Sequence, residues 1–557
     1  MNDNEVSSRN NWPDWICLWG VAAITGFVII WGSPSVGPTF DEPTYLECGL
    51  KGWREGTHKP LMRLGTMPLS VDLSTLPLAI IEWSGIHSWN LKQDFDQALR
   101  IARAASIVFW WLLLIVVFGV ARNLCGRTVA WMATGLICLE PTLASHAALA
   151  TTDIACLSTV LLAWWAHLAG QGHKRFRRWV LPGLAYGLAL FAKASAMAFV
   201  PLLIFSGDLV NWFKAGRQVD SLKFRAWLHE RMTMFGVGLL AVFVLVGSDW
   251  GTEPTFVKWA QSLPDGWLSK WMVWVSENIR IFTNAGEGLA QQIKHNMRGH
   301  GAYLLGYEAP RAFLWYFPVL LSIKLTVSGL ILLGVFFSSR TFRLACPSLA
   351  AVFCILFLFS LNCRVQIGIR LVFPLFISAY LLAAIALAGL WNAKNRWNRA
   401  VAIFLLVSHG MEGLASFPQG LMFANAPWSR IGSPDWLMSD SNFDWGQGIP
   451  TAKKLIGQQA EPMGLVYYGA DPTANNSIWF RRLVPKKPDW DSPDGIRKLF
   501  AGKTILVGAS VSRGGPLGKD YAQFRQAIQN LNWQAVGCMH LIAFPQAPVI
   551  EADLGLN

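Results

Sequence analysis

The stretch FDEPTYLECGLKGWREGTHKPLMRL occupies residues 40–64 and follows the first long apolar run of the chain. It places two adjacent carboxylates, Asp41 and Glu42, and a His-Lys-Pro turn, His58 to Pro60, just beyond a segment apolar enough to cross a bilayer. Charged side chains at the end of a membrane span are costly to insert, so they are candidates for function. The surrounding sequence decides what kind of protein carries them.

Composition identifies the class of protein. The chain has 557 residues, of which 53% are hydrophobic and only 15% are charged. A soluble domain needs more polar surface than this, so we expect a polytopic α-helical membrane protein. Apolar runs near the length that crosses a bilayer recur along the chain. They cover residues 15–31, 104–121, 128–139, 154–170, 179–206, 234–248, 312–337, 347–362, 371–391 and 400–416.

Basic residues are concentrated in short loops between these runs. The formal net charge is +13, and its distribution is typical of the positive-inside rule and of contact with anionic lipid rather than nucleic acid. Residues 179–206 have basic loops on both sides, so we predict two short helices that meet near residues 192–196. The count becomes about eleven transmembrane helices with a cytoplasmic N-terminus. Residues 32–99, residues 249–311 and everything after Phe417 then face outward.

The last part of the chain has a different pattern. Beyond Phe417 the long apolar runs stop, and short β-like stretches alternate with helical ones. MGLVYYG, KTILVGAS and GCMHLIAF are of the first kind, and PDGIRKLF is of the second. This alternation predicts a small α/β domain. We therefore divide the chain into a transmembrane domain, residues 1–417, and an outer-face, periplasmic α/β domain, residues 418–557.

Further polar residues fall on the same predicted outer face as Asp41 and Glu42. The short loop PTLASHAALATTD ends in Asp153 at the mouth of an apolar run. The loop NCRVQIGIR places two arginines where the positive-inside rule disfavours them. A third stretch, MRGHGAYLLGYEAPRAFLWYFP, combines charge with aromatic residues at the entry of another run. These stretches contribute His146, His300, Arg311, Tyr316, Arg364 and Arg370 as further candidates.

Acids that face cations at a lipid surface suit group transfer from a lipid-phosphate donor. Arginine and lysine bind the phosphate and stabilise it as it leaves, while a carboxylate takes the proton of the incoming hydroxyl. A nearby carboxylate also stabilises the oxocarbenium-like state of glycosyl transfer. Two alternatives are a transporter or flippase of lipid-linked glycans and a non-catalytic envelope scaffold. A transporter would place polar residues along mid-membrane helices rather than in outer loops.

Several stretches taken together resemble one known superfamily. FDEPTYLECGLKGWREG…HKPL, HAALATTD, GLAYGLALFAKASA, GHGAYLLG…RAFLWYFPVLLSIK, GIRLVFP and DSNFDWGQ look like the phospholipid carrier-dependent glycosyltransferases, which include the protein O-mannosyltransferases and the aminoarabinose-lipid A transferases. The resemblance implies the GT-C fold and an inverting transfer of one sugar from a polyprenyl-phosphate donor. The acceptor would be a hydroxyl of a protein, a lipid or a cell-surface glycan. The implied location is the outer face of a bacterial inner membrane.

The resemblance also implies roles by position. Asp41 matches the catalytic aspartate and is expected to be the general base, with Glu42 supporting it. Asp153 matches the acid of the second outer loop, which holds hydroxyls of the donor or acceptor. Lys59 resembles the lysine that contacts the lipid phosphate, and Arg370 resembles the arginine that faces it. The sequence HKPL combines the lysine of the Glu-Lys-Pro pattern of the aminoarabinose transferases with the histidine of the His-Pro-Pro-Leu pattern of the mannosyltransferases. The resemblance therefore leaves the identity of the sugar open.

The remaining candidates are expected to bind the substrates. Two further arginines, Arg311 and Arg364, would join the phosphate site. Hydrogen bonds or stacking to sugar and prenyl groups are expected from His58, His146, His300 and Tyr316. This chemistry requires no cofactor. A divalent metal held by His58 and His300 is an alternative, although zinc sites use three or four ligands.

Overall fold

The computed structural model describes residues 12–214, 216, 221–280, 283–475, 477–483, 490–515 and 521–546. The predicted cytoplasmic N-terminus lies outside these residues. The helices are α1 Trp12–Gly32, α2 Glu42–Glu55, α3 Lys59–Arg63, α4 Leu69–Trp83, α5 Phe95–Ser106, α6 Val108–Cys125, α7 Arg127–Cys138, α8 Pro141–Ala147, α9 Asp153–Gly170, α10 Leu181–Ala192, α11 Ala196–Lys214, α12 Ser221–Val246, α13 Pro254–Gln261, α14 Trp267–Asn278, α15 Ala285–Arg298, α16 Tyr316–Lys324, α17 Val327–Ser338, α18 Arg340–Ala345, α19 Pro347–Leu361, α20 Phe373–Asn392, α21 Arg396–Ser416, α22 Ala426–Ile431, α23 Pro434–Leu437, α24 Ile449–Ile456, α25 Pro493–Phe500, α26 Ala509–Ser512 and α27 Ala522–Ile528. The strands are β1 Ala302–Leu304, β2 Tyr307–Ala309, β3 Met463–Val466, β4 Phe480–Arg482, β5 Thr504–Gly508, β6 Trp533–Val536 and β7 Met539–Ala543.

The helices confirm a multi-span membrane protein. Among the described residues, six helical segments are long and apolar enough to cross a bilayer, and a seventh is obtained if α16 and α17, bent by 116° at their junction, are counted as one span. The predicted count of about eleven is not confirmed. Several predicted runs form helices that are too short. Each of α7 and α10 has 12 residues, which span about 18 Å, whereas the hydrocarbon core is about 30 Å thick.

The break predicted near residues 192–196 is confirmed. Helix α10 ends at Ala192 and helix α11 begins at Ala196. Lys193 lies at this break with an extended backbone, and its Nζ donates a hydrogen bond to Asp153 Oδ1 over 2.7 Å. Irregular backbone at membrane depth is tolerated where it is buried in protein or lines a cavity. The break therefore brings a cation to a place that a continuous helix would fill with apolar side chains.

Helix α20 forms the centre of the membrane part. Its sequence, FPLFISAYLLAAIALAGLWN, is apolar on every side, and a helix of that kind is normally buried all round. Every residue from Phe373 to Ala388 is buried. A 3-10 turn at Ile369–Val372 precedes the helix. Arg370, in this turn, is therefore anchored at the start of the most completely buried apolar span among the described residues.

The C-terminal part contains a five-stranded sheet with the strand order β4–β3–β5–β7–β6. Strand β3 is parallel to β4 and β5, whereas β7 is antiparallel to β5 and β6. Strands β3, β5 and β7 lie in the three stretches predicted to be β-like, so the α/β character is confirmed. Ile496 of α25 and Phe524 of α27 belong to one apolar cluster with Ile505 and Val507 of β5. The two helices therefore pack on the sheet.

Candidate active site

A cavity of about 930 Å³ lies against the stretch that begins at Phe40, and we call it the site cavity. Asp41 is the only acidic residue among the described residues that line it. Three residues predicted for the site are in this lining: Asp41, Arg364 and Arg370. Further cations come from α3, from α15 and from the break between α10 and α11. The complete set of lining cations is Arg63, Lys193, Lys294, Arg298, Arg364 and Arg370.

Asp41 is placed at the cavity by the start of α2. Glu42 is the first residue of this helix and Pro43 is the second, a position where proline favours helix initiation. The Asp41 carboxylate is 24% exposed, and its Oδ2 accepts one long hydrogen bond of 3.4 Å from Arg370 Nη1. Burial raises the pKa of Asp41 above its usual value, while Arg370 opposes the rise and Asp153 adds to it. A raised pKa makes the carboxylate a better proton acceptor near neutral pH.

The second predicted acid, Asp153, is buried behind the cavity wall. Its Oδ1 accepts a hydrogen bond of 2.7 Å from the Lys193 ammonium, and its Oδ2 accepts one of 3.3 Å from Arg370 Nη1. Both oxygens are thus engaged by cations, and the side chain is absent from the cavity lining. In this arrangement Asp153 is a counter-charge that holds Lys193 and Arg370 at the wall, rather than a group open to a sugar hydroxyl.

Arg370 is held from the other side by the DSNFDWGQ segment, residues 440–447. Its Nε donates to Ser441 Oγ over 3.0 Å, and the Ser441 hydroxyl donates to the Ile367 carbonyl over 2.6 Å. The guanidinium lies 3.9 Å from the centroid of the Trp445 ring, a cation–π contact. Sequence reasoning missed the role of this segment. The signal that could have found it was the motif itself, which follows the last apolar run in the sequence.

Asp440 is a further carboxyl beside Arg370. Its φ is 55°, a left-handed conformation that is uncommon for residues other than glycine and that clusters at functional sites. Its Oδ1 accepts the N–H of Ser441. Burial raises the pKa of Asp440 to about 7, although the Arg370 charge opposes the rise. Asp440 is therefore more basic than an ordinary aspartate, and it lies in reach of the charges of both Arg370 and Asp41.

Glu42 faces away from the site cavity and is completely buried. Its two oxygens accept the Nε and Nη2 of Arg103 over 2.8 and 2.7 Å, and they also accept the N–H groups of Thr39 and Ala150. Although burial alone disfavours the charged form, the Arg103 guanidinium and these donors hold the pKa of Glu42 below its usual range. Glu42 is therefore a positioning residue.

The His-Lys-Pro turn does not bring its own side chains to the cavity. His58 Nε2 lies 2.9 Å from Asp72 Oδ2, and its Nδ1 lies 3.1 Å from the carbonyl of Val246. Burial disfavours the charged imidazole, yet the hydrogen bond and charge of Asp72 raise the pKa of His58 above its usual value. Lys59 begins α3 and is absent from the cavity lining, whereas Arg63 at the end of the same helix lines it. The structure thus offers Arg63 in the place predicted for Lys59.

The two histidines predicted as metal ligands do not fit a metal together. Both ring nitrogens of His58 already have partners, whereas the ring of His300 lies 5.7 Å from that of His295. His300 Nδ1 is buried and has no hydrogen-bond partner among the described residues. The described part of the chain contains no group of three or more His, Cys, Asp or Glu side chains that could hold a metal ion.

The last three predicted residues lie outside the cavity lining. Tyr316 is buried, and its hydroxyl accepts a hydrogen bond of 3.1 Å from Asn442 Nδ2. It therefore supports the 440–447 segment and is not free to stack on a sugar. His146 is also buried, with Nδ1 2.8 Å from the carbonyl of Thr142. Arg311 is exposed.

Comparisons with known proteins agree with the resemblance. The model of the family described as dolichyl-phosphate-mannose-protein mannosyltransferase matches residues 95–246, which include Arg103, Asp153 and Lys193. No curated protein matches the chain. Among solved structures, ArnT from Cupriavidus metallidurans bound to undecaprenyl phosphate is 13% identical, with 97% of this chain and 100% of that chain covered and a TM-score of 0.43.

A second similar structure is the archaeal oligosaccharyltransferase AglB from Archaeoglobus fulgidus in complex with an inhibitory peptide and a dolichol-phosphate. It is 12% identical, with 97% of this chain and 76% of that chain covered and a TM-score of 0.48. The family match shows that residues 95–246 are similar to the dolichyl-phosphate-mannose-protein mannosyltransferases, and the described residues form a multi-span helical fold.

Proposed function

We propose that this protein is an inverting glycosyltransferase that moves a single sugar from a polyprenyl-phosphate donor to a hydroxyl acceptor. The observation that carries the proposal is the position of Asp41. It is the one acid among the described lining residues, and the other charged residues of the lining are all arginines and lysines. The name of the matched family includes a polyprenyl-phosphate sugar as the donor. The acceptor belongs to a protein, a lipid or a cell-surface glycan. The reaction takes place at the outer face of a bacterial inner membrane.

The cations of the site cavity suit the donor phosphate. Lys193 and Arg370 are partly neutralised by Asp153. The other lining cations are Arg63, Lys294, Arg298 and Arg364. No acidic residue among the described lining residues forms an ion pair with them. Arginine offers a planar fork of donors to phosphate oxygens, and lysine a point charge. We expect the phosphate to bind to this second group, with Arg370 completing the site next to Asp41.

The bond changes follow from this placement. Asp41 takes the proton of the acceptor hydroxyl as its oxygen attacks the anomeric carbon of the donor sugar. The bond from that carbon to the phosphate oxygen breaks, and the electron pair leaves with the phosphate. The cavity cations stabilise the additional negative charge on the departing polyprenyl phosphate. Attack opposite the leaving group inverts the anomeric centre. These steps use side chains alone, and they do not require a metal.

The test uses purified protein in nanodiscs with a panel of radiolabelled polyprenyl-phosphate sugars and an envelope extract as acceptor. We expect sugar transfer from at least one donor, and we expect it to disappear in Asp41→Asn while donor binding is retained. Glu47→Gln is the matched control, because Glu47 is an exposed acid of the same helix. A transporter would bind or move the donor without consuming it in the wild type as well as in Asp41→Asn. A wild type that neither binds nor consumes any donor would refute the proposal.

A further inference from the structure

A second cavity, of about 650 Å³, lies between the β1–β2 hairpin and the C-terminal sheet. We call it the hairpin cleft. The hairpin contributes Tyr303 and Gly306, α23 contributes Trp436, and the C-terminal part contributes Arg513, Arg525 and Trp533. None of these residues takes part in the proposed transfer. The volume is within the range of about 300–1,000 Å³ that is common for sites of small ligands.

The walls of the hairpin cleft are held in fixed positions. The N–H groups of Leu305 and Gly306 donate to the carbonyls of Leu437 and Trp436 over 2.9 and 3.0 Å. Gly306 has a φ of 73°, and a Cβ at this position would lie 2.4 Å from Trp436 Nε1. Only glycine therefore allows the hairpin to lie this close to the indole. The cleft is a built feature of the fold rather than a gap between loosely placed parts.

Each of two arginines in the cleft is paired with one acid and has further N–H donors. Arg513 Nε donates to Asp435 over 2.6 Å, and its guanidinium lies 4.6 Å from the centroid of the Trp533 ring. Arg525 Nη2 donates to Glu308 over 2.9 Å. Arg525 Nη1 is buried and has no hydrogen-bond partner among the described residues. A buried donor without a partner is costly, so the Arg525 guanidinium has hydrogen-bonding capacity that the described residues do not use.

The chemistry of the lining defines the ligand. A guanidinium with unused donors binds a carboxylate strongly and with defined geometry. The rings of Trp436 and Trp533 are partly exposed and offer flat apolar surfaces. The side-chain amides of Gln526 and Gln529 line the same cleft. We propose that the hairpin cleft binds a carboxylate-bearing sugar unit of an acidic glycan, with the carboxylate on Arg525 and the sugar ring against the aromatic side chains.

The hairpin cleft is connected to the site cavity by continuous backbone. Trp436 lines the cleft and Asp435 accepts a hydrogen bond from the lining residue Arg513. Ser441, a few residues further along the same segment, accepts a hydrogen bond of 3.0 Å from Arg370. Between them, the Ser439 hydroxyl donates to the carbonyl of Gly514 over 2.6 Å, which ties the segment to the C-terminal part. A glycan held in the cleft would therefore be held by the same element that shapes the transfer site. The identification of this glycan as the acceptor rests on the proposed function. The binding of the glycan in the hairpin cleft does not.

Isothermal titration calorimetry on the full chain in nanodiscs at pH 7 tests the proposal, with trigalacturonic acid as the probe. We expect binding to the wild type and at least tenfold weaker binding of its methyl ester, which lacks the charge. Arg525→Gln and Trp533→Ala should each weaken the binding of the acid at least tenfold. Arg525→Lys, which keeps the charge but not the fork, should lie between wild type and Arg525→Gln. The matched control is Arg481→Gln, since Arg481 is an exposed arginine of β4 outside the cleft.

Several results would overturn the proposal. They are the absence of binding at millimolar trigalacturonic acid, equal binding of the methyl ester, and binding that neither Arg525 variant nor Trp533→Ala weakens. Equally tight binding of triglutamate would replace the sugar by an acidic peptide. Asp41→Asn separates this proposal from the proposed function, because it should abolish transfer and leave the binding of trigalacturonic acid unchanged. Binding without any transfer by the wild type would refute the transferase alone.

Discussion

Asp41 and Glu42 are neighbours in the chain and lie in opposite environments. Glu42 is fully buried, and both of its oxygens are saturated by the Arg103 guanidinium and by backbone donors. Asp41 lines the site cavity and has a single long contact to Arg370. The same functional group, one residue apart, thus supports the structure in one case and is left available for chemistry in the other. A carboxylate is available for proton transfer only where its hydrogen-bonding capacity is not already used.

The comparison extends to the surroundings of each acid. Arg103 connects Glu42 to the carbonyls of Ser33, Val36 and Gly37, so this layer fixes the chain that leads from α1 into α2. The site cavity instead has an excess of cations that the lining itself does not neutralise. The buried layer therefore determines where Asp41 lies, and the open cavity determines what Asp41 faces.

The largest effect is expected from Asp41→Asn, which removes the base and keeps the shape. Turnover should fall about 10²–10⁴-fold, the usual contribution of general-base assistance. The unfolding temperature should stay close to that of the wild type, because the side chain makes only one long hydrogen bond. Radiolabelled transfer and thermal unfolding in nanodiscs measure the two quantities. An equal loss of activity in the control Glu47→Gln, or a large loss of stability in Asp41→Asn, would remove the distinction between the two acids.

Glu42→Gln is expected to act mainly on stability. It leaves the Arg103 guanidinium buried without its counter-charge, and breaking a buried ion pair in this way costs about 3–5 kcal/mol. The free energy of unfolding should fall by that amount, and activity should fall with it because Asp41 loses its fixed position. Denaturant unfolding and transfer assays on the same preparation check this. A variant with wild-type stability would show that the buried layer is not what positions Asp41.

These two acids also show how far sequence reasoning reaches. Asp41 and Arg370 could be predicted, because charge at the end of an apolar run is costly and therefore informative. The environment of Glu42 could not, because its partner Arg103 is distant in sequence and no local pattern connects the two. Fold class followed from composition and from the change of pattern after Phe417. The number of spans could not be predicted in this way, because the length of a helix next to a break depends on tertiary contacts.

The cavity itself illustrates the same limit. Lys193 stands alone in an apolar run, and only the fold shows that it meets Asp153 at a helix break. Arg63 has no feature that separates it from Lys59 in the sequence, yet it is Arg63 that lines the site cavity. Ser441 and Trp445 are polar and aromatic residues of a loop whose position depends on the C-terminal part. Contacts between distant parts of the chain decide each of these cases.

A smaller effect is expected from Ser441→Ala, which changes the support of Arg370 without touching either acid. The Nε of Arg370 loses its acceptor at 3.0 Å, and a buried donor left without a partner costs about 1–3 kcal/mol. We expect kcat/KM for the donor to fall about tenfold and the unfolding temperature to change little. Ser429→Ala is the control, because Ser429 is exposed. An unchanged kcat/KM would show that Arg370 keeps its position without the Ser441 hydroxyl.

The smallest expected effect concerns Glu287, a buried acid that lies beside another acid, Glu253, with the charge of Arg63 as a weaker opposing influence. Glu287, in the first turn of α15, has its pKa raised to about 7 by burial and then by Glu253. Since this folded-state value is above the unfolded one, the protonated carboxyl stabilises the fold at low pH, and this contribution is lost as pH rises from about 4.5 through 7. The unfolding temperature of the wild type should therefore fall between pH 5.5 and 8 by more than that of Glu287→Gln, with a difference on the order of 1–3 °C. Glu277→Gln, which removes an exposed acid of α14, should retain the wild-type pH dependence. Identical slopes in wild type and Glu287→Gln would mean that Glu287 is charged in the fold, as Glu42 is, in spite of its burial and of the neighbouring Glu253.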